Sequence, residues 1–311
     1  MKPNTIIDSA AASDGEKQVV AGRHRSTRSH HVTRSWAGPG KLERITPVTF
    51  LIDVYLLTRR LLMRMPHQPD LIVYSIVQPA IFTLAMIYLF GKAIALPGGA
   101  NYTDFVIAGL LAQTVVMGAA SATSGGIAFE LSQKTIDRLR TLPLSRLSIL
   151  AGCTNAGVIR AFITVFVTTV CGLVAGWRAQ AGLGGALLAF LILLLFGLAM
   201  SWVGALIGVS VSNPEVAAGA GTVWLFPVMY LSNALTPVSA MPGWLQPVAG
   251  WNPLSAVTTA CRQLFGNPTA FGVENIWPAD HPILASVSWS LAIMLVTVPL
   301  TVWKFVRWTS R

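Results

Sequence analysis

The chain has 311 residues, of which 53% are hydrophobic and 11% are charged, and its formal net charge is +10 at pH 7. Soluble domains carry about 25% charged residues, so this composition excludes an ordinary soluble domain and indicates an integral membrane protein. The positive charge does not indicate nucleic-acid binding, because the basic residues border apolar segments, where a multi-span chain uses them for orientation.

The N-terminal segment, residues 1–45, has a different composition from the rest of the chain. It is rich in Ser, Thr, Ala, Arg and His and has few large apolar residues. Such a segment cannot bury enough surface to offset its chain entropy, so we predict a disordered basic cytoplasmic tail before a six-span domain at 46–311. His24, His30 and His31 lie in this tail without a Cys or carboxylate cluster, which favours solvated side chains over a metal site.

The next segment, 48–64, is amphipathic if it is helical. Arg59 and Arg60 lie near its centre, and an arginine at the centre of a membrane span costs about 2.5–3.5 kcal/mol on insertion. The pattern therefore predicts a helix that lies in the membrane interface. Pro66 and Pro69 end it, because proline breaks helical geometry.

Six apolar segments that follow are long enough to cross a bilayer. They are residues 71–90, 104–126, 149–176, 183–211, 216–235 and 283–303. Asn213 and Pro214 precede the fifth segment, where an asparagine cap and a proline in the first turn are favourable. The fold class predicted is therefore an all-α integral membrane protein with six transmembrane helices.

The stretch 236–265, between the fifth and sixth spans, is too rich in proline for one straight helix and too apolar for a solvated loop. We predict short re-entrant or extracytoplasmic helices there. Trp244 and Trp251 would then lie at the level of the lipid headgroups, where tryptophan is enriched.

Lysine and arginine are distributed unevenly between the connecting segments. Residues 1–70, 127–150 and 304–311 together hold 18 of the 22 basic residues. Positive residues accumulate on the cytoplasmic side, so both termini are predicted to be cytoplasmic, as is the loop between spans two and three. The expected location is the cytoplasmic membrane.

The sequence lacks the usual chemistry of an enzyme or an ion-coupled carrier. None of the twelve acidic residues and none of the five histidines lies inside a predicted span, which disfavours a proton-driven carrier. A sodium site built from the carbonyl oxygens of an unwound helix needs no such residue, so this pattern leaves it as an alternative. The chain has no P-loop, H-E-x-x-H or G-x-S-x-G motif, and its cysteines, Cys153, Cys171 and Cys261, have no metal-ligand or pairing pattern. A non-catalytic subunit powered by a docked partner is favoured, and an ATP-independent carrier or channel is the alternative.

The cytoplasmic stretch 130–142 has a helical pattern that ends at Pro143. Its apolar ridge consists of Leu131, Thr135, Leu139 and Leu142. Its charged residues, Glu130, Lys134, Asp137, Arg138 and Arg140, project elsewhere. A ridge with flanking charges suits a partner's groove. A solvated basic loop that only sets topology explains the pattern equally well.

Two stretches, "IDRLRTLPLSR" at 136–146 and "NPLSAVTTACRQL" at 252–264, resemble the membrane subunit of ABC-2 type exporters, most closely the daunorubicin-resistance type of permease. The family's cytoplasmic motif, I-D-R-[FL]-R-[ST]-L-P-[LM]-S-R, matches from Ile136 to Arg146. Its later motif matches at Pro242, Trp244 to Pro247, Asn252 to Ser255 and Arg262. The resemblance extends over about residues 48–308.

The resemblance implies that 48–64 is a connecting helix and that 127–146 is a coupling helix docked on a separate cytoplasmic ATPase dimer. The implied coupling residues are Glu130, Leu131, Asp137, Arg138, Leu139, Arg140, Leu142 and Pro143. This chain would bind no cofactor, since the ATPase subunits would hold ATP and Mg. A second copy or a related permease would complete the membrane dimer. The implied activity is outward movement of a hydrophobic or amphipathic drug or complex lipid, which would confer antibiotic resistance.

Several residues in or beside the spans are candidates for a substrate path or an exit. The path candidates are Gln78, Gln113, Arg160, Phe226, Met229, Tyr230 and Asn233. The exit-side candidates are Pro242, Trp244, Asn252, Pro253 and Arg262. Apolar residues in spans usually face lipid or neighbouring helices, and a charge such as that of Arg160 can extend back to the headgroups. Packing roles therefore remain open for the path candidates.

Two glycine pairs, Gly172 with Gly176 and Gly204 with Gly208, have the G-x-x-x-G spacing. This spacing allows two helices to approach closely. In a glycine-rich chain it indicates packing within one subunit more often than a dimer interface.

Overall fold

The computed structural model describes residues 47–63, 69–91, 101–133, 146–211, 213–269 and 276–309. In these ranges every regular element is a helix and no strand occurs, in agreement with the predicted all-α class. The N-terminal tail lies outside the described residues. So do residues 134–145 of the predicted coupling helix at 127–146, which we call the coupling segment.

In chain order, the helices within these ranges are α1 (Pro47–Leu62), α2 (Pro69–Phe90), α3 (Tyr102–Ser132), α4 (Arg146–Val174), α5 (Gly182–Ser210), α6 (Pro214–Val223), α7 (Leu225–Tyr230), α8 (Gln246–Trp251), α9 (Pro253–Phe265), α10 (Trp277–Asp280) and α11 (Pro282–Thr309). A 3-10 turn at Val238–Ala240 precedes α8.

Within the described residues, four helices are long and apolar enough to cross a membrane: α3, α4, α5 and α11. A shorter apolar stretch, Ser75–Phe90, belongs to α2. These helices correspond to five of the six segments predicted from hydropathy, and most of their ends lie within a few residues of the predicted ends.

Helix α3 is the central helix of the bundle and packs against α4, α5 and α6. In its most apolar stretch 72% of the residues are buried, compared with 22–39% in the other three long apolar helices. A helix buried on all sides has no polar face, which is consistent with its even distribution of apolar residues.

Small residues allow the close approach of α3 and α5. A Cβ atom added at Gly204 would overlap the carbonyl oxygen of Ala120, and one added at Gly208 would lie 2.6 Å from the carbonyl oxygen of Ser124. This glycine pair therefore packs within the chain, as its spacing predicted. Of the other pair, Gly172 packs on Ile107, whereas Gly176 has a φ of +96° with open space around it.

A hydroxyl pair joins three helices in the middle of the bundle. Ser201 of α5 donates a hydrogen bond to the carbonyl oxygen of Thr154 in α4, at 2.9 Å. Its oxygen lies 2.6 Å from the hydroxyl of Thr123 in α3. Because the serine has a single proton, Thr123 is the donor to Ser201. These bonds satisfy polar groups that no water reaches.

The second predicted span was placed at 104–126, but the helix continues to Ser132. The apolar run ends near residue 126, whereas the helical backbone does not. Glu130 and Leu131, predicted to begin a separate coupling helix, therefore form the last turns of α3.

The fifth predicted span, 216–235, is not one continuous helix. Asn213 caps its start as predicted, because its Oδ1 accepts hydrogen bonds from the backbone N–H groups of Glu215 and Val216. The helix then breaks at Trp224 and resumes as α7. Pro227 explains the break, since it has no N–H for the carbonyl of Val223 and its ring clashes with that carbonyl.

Short helices occupy 236–265, as the proline content predicted, and α9 is the longest of them. Pro253 is in its first turn, and Gly266 ends it with a left-handed φ of +74°. Glycine adopts this conformation without a steric penalty. Whether these helices are re-entrant or extracytoplasmic stays a prediction.

Candidate functional site

Arg262 is the centre of a polar cluster at one end of α3. Its side chain is buried, and its guanidinium donates hydrogen bonds to three backbone carbonyl oxygens. The acceptors are Phe105 at 2.9 Å, Asn233 at 2.8 Å and Ala234 at 3.2 Å. The guanidinium also lies 3.6 Å from the centre of the Phe105 ring. A buried charge needs such partners, and the rigid donor fork of arginine reaches several at once.

Asn252 joins the end of α7 to the start of α9. Its Oδ1 accepts a hydrogen bond from the backbone N–H of Leu254, at 2.9 Å, and so caps α9. Its Nδ2 donates to the carbonyl oxygens of Val228 at 2.7 Å and Leu231 at 3.0 Å. Carbonyls at a helix end have no partner within the helix, so one amide group satisfies both helix ends.

Asn233 lies near both Arg262 and Asn252, and it contacts the face of α9 that carries Arg262. Its backbone N–H donates to the hydroxyl of Ser255 at 3.0 Å, and its Nδ2 donates to the hydroxyl of Thr259 at 2.8 Å. Its Oδ1 is buried and has no hydrogen-bond partner among the described residues. A buried acceptor without a donor costs about 1–3 kcal/mol, so this oxygen is an open position for a donor.

Two further hydrogen bonds fix this region to the start of α3. The hydroxyl of Tyr102 donates to the carbonyl oxygen of Leu235, at 3.2 Å. The Nδ2 of Asn267 donates to the carbonyl oxygen of Asp104, at 2.8 Å. The turn after α7, the helix α9 and the first turns of α3 are thus held together by side chain-to-backbone bonds.

A cavity of about 260 Å³ opens beside this cluster, and we call it the polar cavity. Its polar lining residues are Asn233, Ser255, Thr259, Gln263, Thr269 and Asp280. Its apolar wall includes Val238, Ile276, Pro278 and Pro282. Among the described residues that line it, Asp280 is the sole one with an ionisable side chain.

The predicted exit-side residues fall into two groups. Asn252 and Arg262 belong to the cluster, and Pro253 begins the helix that carries it. Pro242 and Trp244 are exposed instead and do not line the polar cavity. The predicted position of Trp244 at the level of the lipid headgroups stays a prediction.

The sequence analysis included Ser255 in the family motif but did not predict Ser255, Thr259 or Asp280 as site residues. Ser255 and Thr259 are four residues apart and Arg262 follows three residues later, which places all three on one face of α9. This spacing of polar residues on one helix face indicates a polar site and could have been recognised from the sequence. No sequence pattern indicates Asp280, because it is a lone acidic residue outside any motif.

Of the seven predicted path residues, Asn233 alone lines the polar cavity. Gln113 is buried in α3, and neither atom of its amide has a partner among the described residues. Gln78 is exposed on α2, and Arg160 is half-buried on α4. Their role in a path stays a prediction.

The other path residues lie on α7 and face different ways. Met229 is buried in the core, whereas Phe226 and Tyr230 are exposed. The rings of the two exposed residues are stacked, with centroids 6.1 Å apart and planes 9° apart. This arrangement leaves one aromatic surface on the outside of the bundle.

At the other end of α3, Glu130 and Leu131 are buried. A carboxylate oxygen of Glu130 accepts a hydrogen bond from Arg60 of α1 at 3.3 Å. Helix α1 also packs on α4, where a Cβ added at Gly152 would lie 2.7 Å from the Cβ of Leu57. The carbonyl oxygen of Gly152 is 3.3 Å from the Thr58 hydroxyl, whose single proton is donated to the carbonyl oxygen of Val54 at 2.7 Å. Helix α1 is thus attached to both long helices that flank the coupling segment. The other six predicted coupling residues, Asp137, Arg138, Leu139, Arg140, Leu142 and Pro143, lie outside the described residues.

We predict that the ion pair between Arg60 and Glu130 couples the stabilities of α1 and α3. A double-mutant cycle with Arg60→Met and Glu130→Gln should give a coupling energy of about 1 kcal/mol, because one partner is buried and the other is partly exposed. The cycle removes the effect of other contacts of Glu130, and apparent thermal stability in detergent is the measurement. Additive effects within about 0.3 kcal/mol would show that the pair is not coupled.

Comparisons with known proteins all identify transporter permeases as similar to this chain. A family model described as ABC-2 type transporter matches residues 53–265, which run from the middle of α1 to the end of α9 and contain Arg262. The chain is 32% identical over 242 residues to a daunorubicin resistance ABC transporter permease protein of Streptomyces coeruleorubidus. That match covers 78% of this chain and 82% of the relative.

Two other relatives carry related descriptions. A probable doxorubicin resistance ABC transporter permease protein of Mycobacterium tuberculosis is 25% identical over 260 residues, which is 81% of this chain and 88% of the relative. A probable multidrug ABC transporter permease of Escherichia coli is 28% identical over 181 residues, which is 57% of this chain and 48% of the relative.

Proposed function

Because the chain belongs to the ABC-2 type transporter family, we propose that it is the membrane subunit of an exporter driven by a separate cytoplasmic ATPase. The observation that carries this proposal is the family match over residues 53–265 together with relatives that are permease proteins. The long apolar helices of the chain supply the membrane domain that such a subunit needs. ATP and Mg belong to the partner, and this chain is a non-catalytic subunit.

In this proposal six spans cross the cytoplasmic membrane and both termini are cytoplasmic. Helix α2, which at 22 residues is about 33 Å long, and the broken pair α6–α7 add two spans to the four long helices. Helix α1 lies in the membrane interface, where its exposed residues Leu51 and Tyr55 can contact lipid. The distribution of Lys and Arg supports this orientation.

The contacts of α3 support a route for coupling to the ATPase. The coupling segment begins in the last turns of α3, so a movement of the docked segment acts directly on the central helix of the bundle. The ion pair between Arg60 and Glu130 passes the same movement to α1. Closure of an ATPase dimer would then bias the bundle between two arrangements through differential partner contacts.

The proposed cargo is a hydrophobic or amphipathic compound, either a drug or a complex lipid. The names of the relatives, which include daunorubicin and doxorubicin resistance permeases, support the drug. A second copy of this chain or a related permease would form the other half of the membrane dimer. The alternative is a carrier or channel that works without ATP.

The test is a mild-detergent purification of the tagged chain from its native membrane, followed by identification of bound proteins and an export assay. We expect an ATPase with a P-loop to co-purify in a stoichiometric amount. Leu139→Asp should reduce its recovery and the export rate at least tenfold, because a charge on the apolar ridge opposes insertion into a groove.

The matched control is Gln133→Asp, which adds the same charge at an exposed position off the ridge. This variant should keep the ATPase and export, and both variants should insert and dimerise normally. Normal export by Leu139→Asp would refute the coupling assignment. Transport by vesicles without ATP, with no ATPase bound, would favour the carrier or channel.

A further inference from the structure

We propose that the polar cavity beside Arg262 binds a protonated primary amine attached to a small apolar body. The site would hold the amino head of a larger amphipathic molecule rather than the whole molecule. The cavity of about 260 Å³ is slightly smaller than the usual range for complete small-molecule sites, roughly 300–1,000 Å³.

The charge of the described lining favours a cationic ligand. Asp280, an exposed residue, is the sole ionisable side chain among the described lining residues, so their charge is negative. Arg262 lies on α9 together with Ser255 and Thr259, but it does not line the cavity, and its donors are directed at the carbonyl oxygens of Phe105, Asn233 and Ala234. A cavity with charge of one sign concentrates ligands of the opposite sign.

Two groups of the lining are acceptors in need of a donor. The Oδ1 of Asn233 is buried without a donor, and the carboxylate of Asp280 adds further acceptors. The hydroxyls of Ser255 and Thr259 each accept one bond from Asn233 and keep a proton and a second lone pair. An ammonium group has three donors and no acceptor, so it suits the Asn233 Oδ1 and the Asp280 carboxylate, whereas an ionised carboxylate or phosphate would be repelled by both.

The lining of the cavity has a polar side and an apolar side. Ile276, Pro278 and Pro282 form an apolar wall opposite the polar residues of α9. A ring or a short alkyl group can pack on this wall while its amine reaches the acceptors. Polar groups on one side and apolar groups on the other are typical of sites that orient a ligand.

The amine could come from either of two sources. One is the exported amphipathic compound itself, and the other is the headgroup of an aminophospholipid in the outer leaflet. Both sources rest on the proposed function, since that function supplies the exported compound and places this end of α3 on the outer side. Binding itself requires neither an ATPase nor transport.

The experiment measures binding of two probes to the purified chain in phosphatidylcholine nanodiscs by fluorine NMR. The probes are 4-(trifluoromethyl)benzylamine and its neutral counterpart, 4-(trifluoromethyl)benzyl alcohol. We expect the amine to bind at least tenfold more tightly than the alcohol. Asp280→Asn should remove most of that difference by weakening the amine alone.

Two further variants test whether the amine binds in the polar cavity. Glu215→Gln neutralises an exposed carboxylate that does not line the cavity, so it should leave both affinities unchanged. Ala279→Leu fills the cavity from a partly buried lining position and should abolish binding of both probes. Equal affinities for amine and alcohol, or amine binding that survives both Asp280→Asn and Ala279→Leu, would overturn the proposal.

Replacing half of the phosphatidylcholine with phosphatidylethanolamine identifies the source. Weaker apparent amine binding would show that the lipid headgroup competes for the cavity, and unchanged binding would assign the site to the cargo. Because the isolated chain is used, a failure to bind amine leaves the ATPase test unaffected. A failure of the ATPase test likewise leaves amine binding intact.

Discussion

Arg262→Met should cost about 3–5 kcal/mol of stability, the largest loss we expect from a single substitution in this chain. Methionine keeps the apolar stem of the side chain but is shorter and removes all donors. The carbonyl oxygens of Phe105, Asn233 and Ala234 then lose a charged donor in a buried region. Hydrogen bonds to charged groups are worth about 1.5–3 kcal/mol each, and the total loss is smaller than their sum because the methionine variant avoids the cost of burying a charge.

The measurement is the apparent melting temperature in detergent, read from the folded fraction on size-exclusion chromatography after heating. Arg178→Met is the control, because Arg178 is exposed but also donates to two carbonyl oxygens, those of Leu173 and Trp177. Exposed carbonyls can bond to water, so the control should cost less than about 1 kcal/mol. Equal losses in the two variants would mean that Arg262 does not hold the cluster together.

Arg262→Lys should fall between wild type and Arg262→Met. Lysine keeps the charge, but a single ammonium cannot span three carbonyls and stack on Phe105 as the planar guanidinium does. An intermediate melting temperature would attribute part of the effect to charge and part to the donor geometry. Full recovery by lysine would show that charge alone is sufficient.

Gly204→Ala should destabilise the bundle by about 1–3 kcal/mol, although alanine is the better helix former. The added Cβ would overlap the carbonyl oxygen of Ala120 and would lie 3.0 Å from its Cα. Backbone atoms cannot rotate away as a flexible side chain can, so α3 and α5 must separate. Overpacking of this kind costs about 1–3 kcal/mol.

Gly126→Ala is the matched control for this substitution. Gly126 lies inside α3, and nothing lies within 4 Å of the position that its Cβ would take. Alanine there should be neutral or stabilise by up to about 1 kcal/mol, because glycine weakens a helix interior. The two identical substitutions should therefore shift the melting temperature in opposite directions. A gain in both would contradict the close approach of α3 and α5.

The helices were predictable from the sequence because each depends on a local signal. Long apolar runs mark α3, α4, α5 and α11, and asparagine followed by proline marks the starts of α6 and α9. The extension of α3 to Ser132 was missed for a physical reason. Hydropathy reports where apolar residues stop, whereas a helix continues as long as its backbone hydrogen bonds do.

The site was only partly predictable. Arg262 and Asn252 were identified as candidates, but their partners are mostly backbone carbonyl oxygens, which have no sequence signature. The break at Trp224 depends on Pro227, three residues later, and the effect of one proline on a span cannot be judged from composition alone. The polar cavity arises where distant segments meet, so no local pattern predicts it.

The contacts at the start of α3 also set an order of events during synthesis. Arg262 lies 157 residues after Phe105, and Asn267 lies 163 residues after Asp104. At about 5–20 residues per second, roughly 8–30 s pass between the appearance of Phe105 and that of Arg262. Throughout that interval α3 can pair with α4 and then α5, but its end near Phe105 has no guanidinium to bind. A ribosome that stops before Arg262 therefore releases a chain whose central helix is in place and whose polar cluster cannot form. Unfinished and finished subunits thus differ at one defined site, which membrane quality control can recognise.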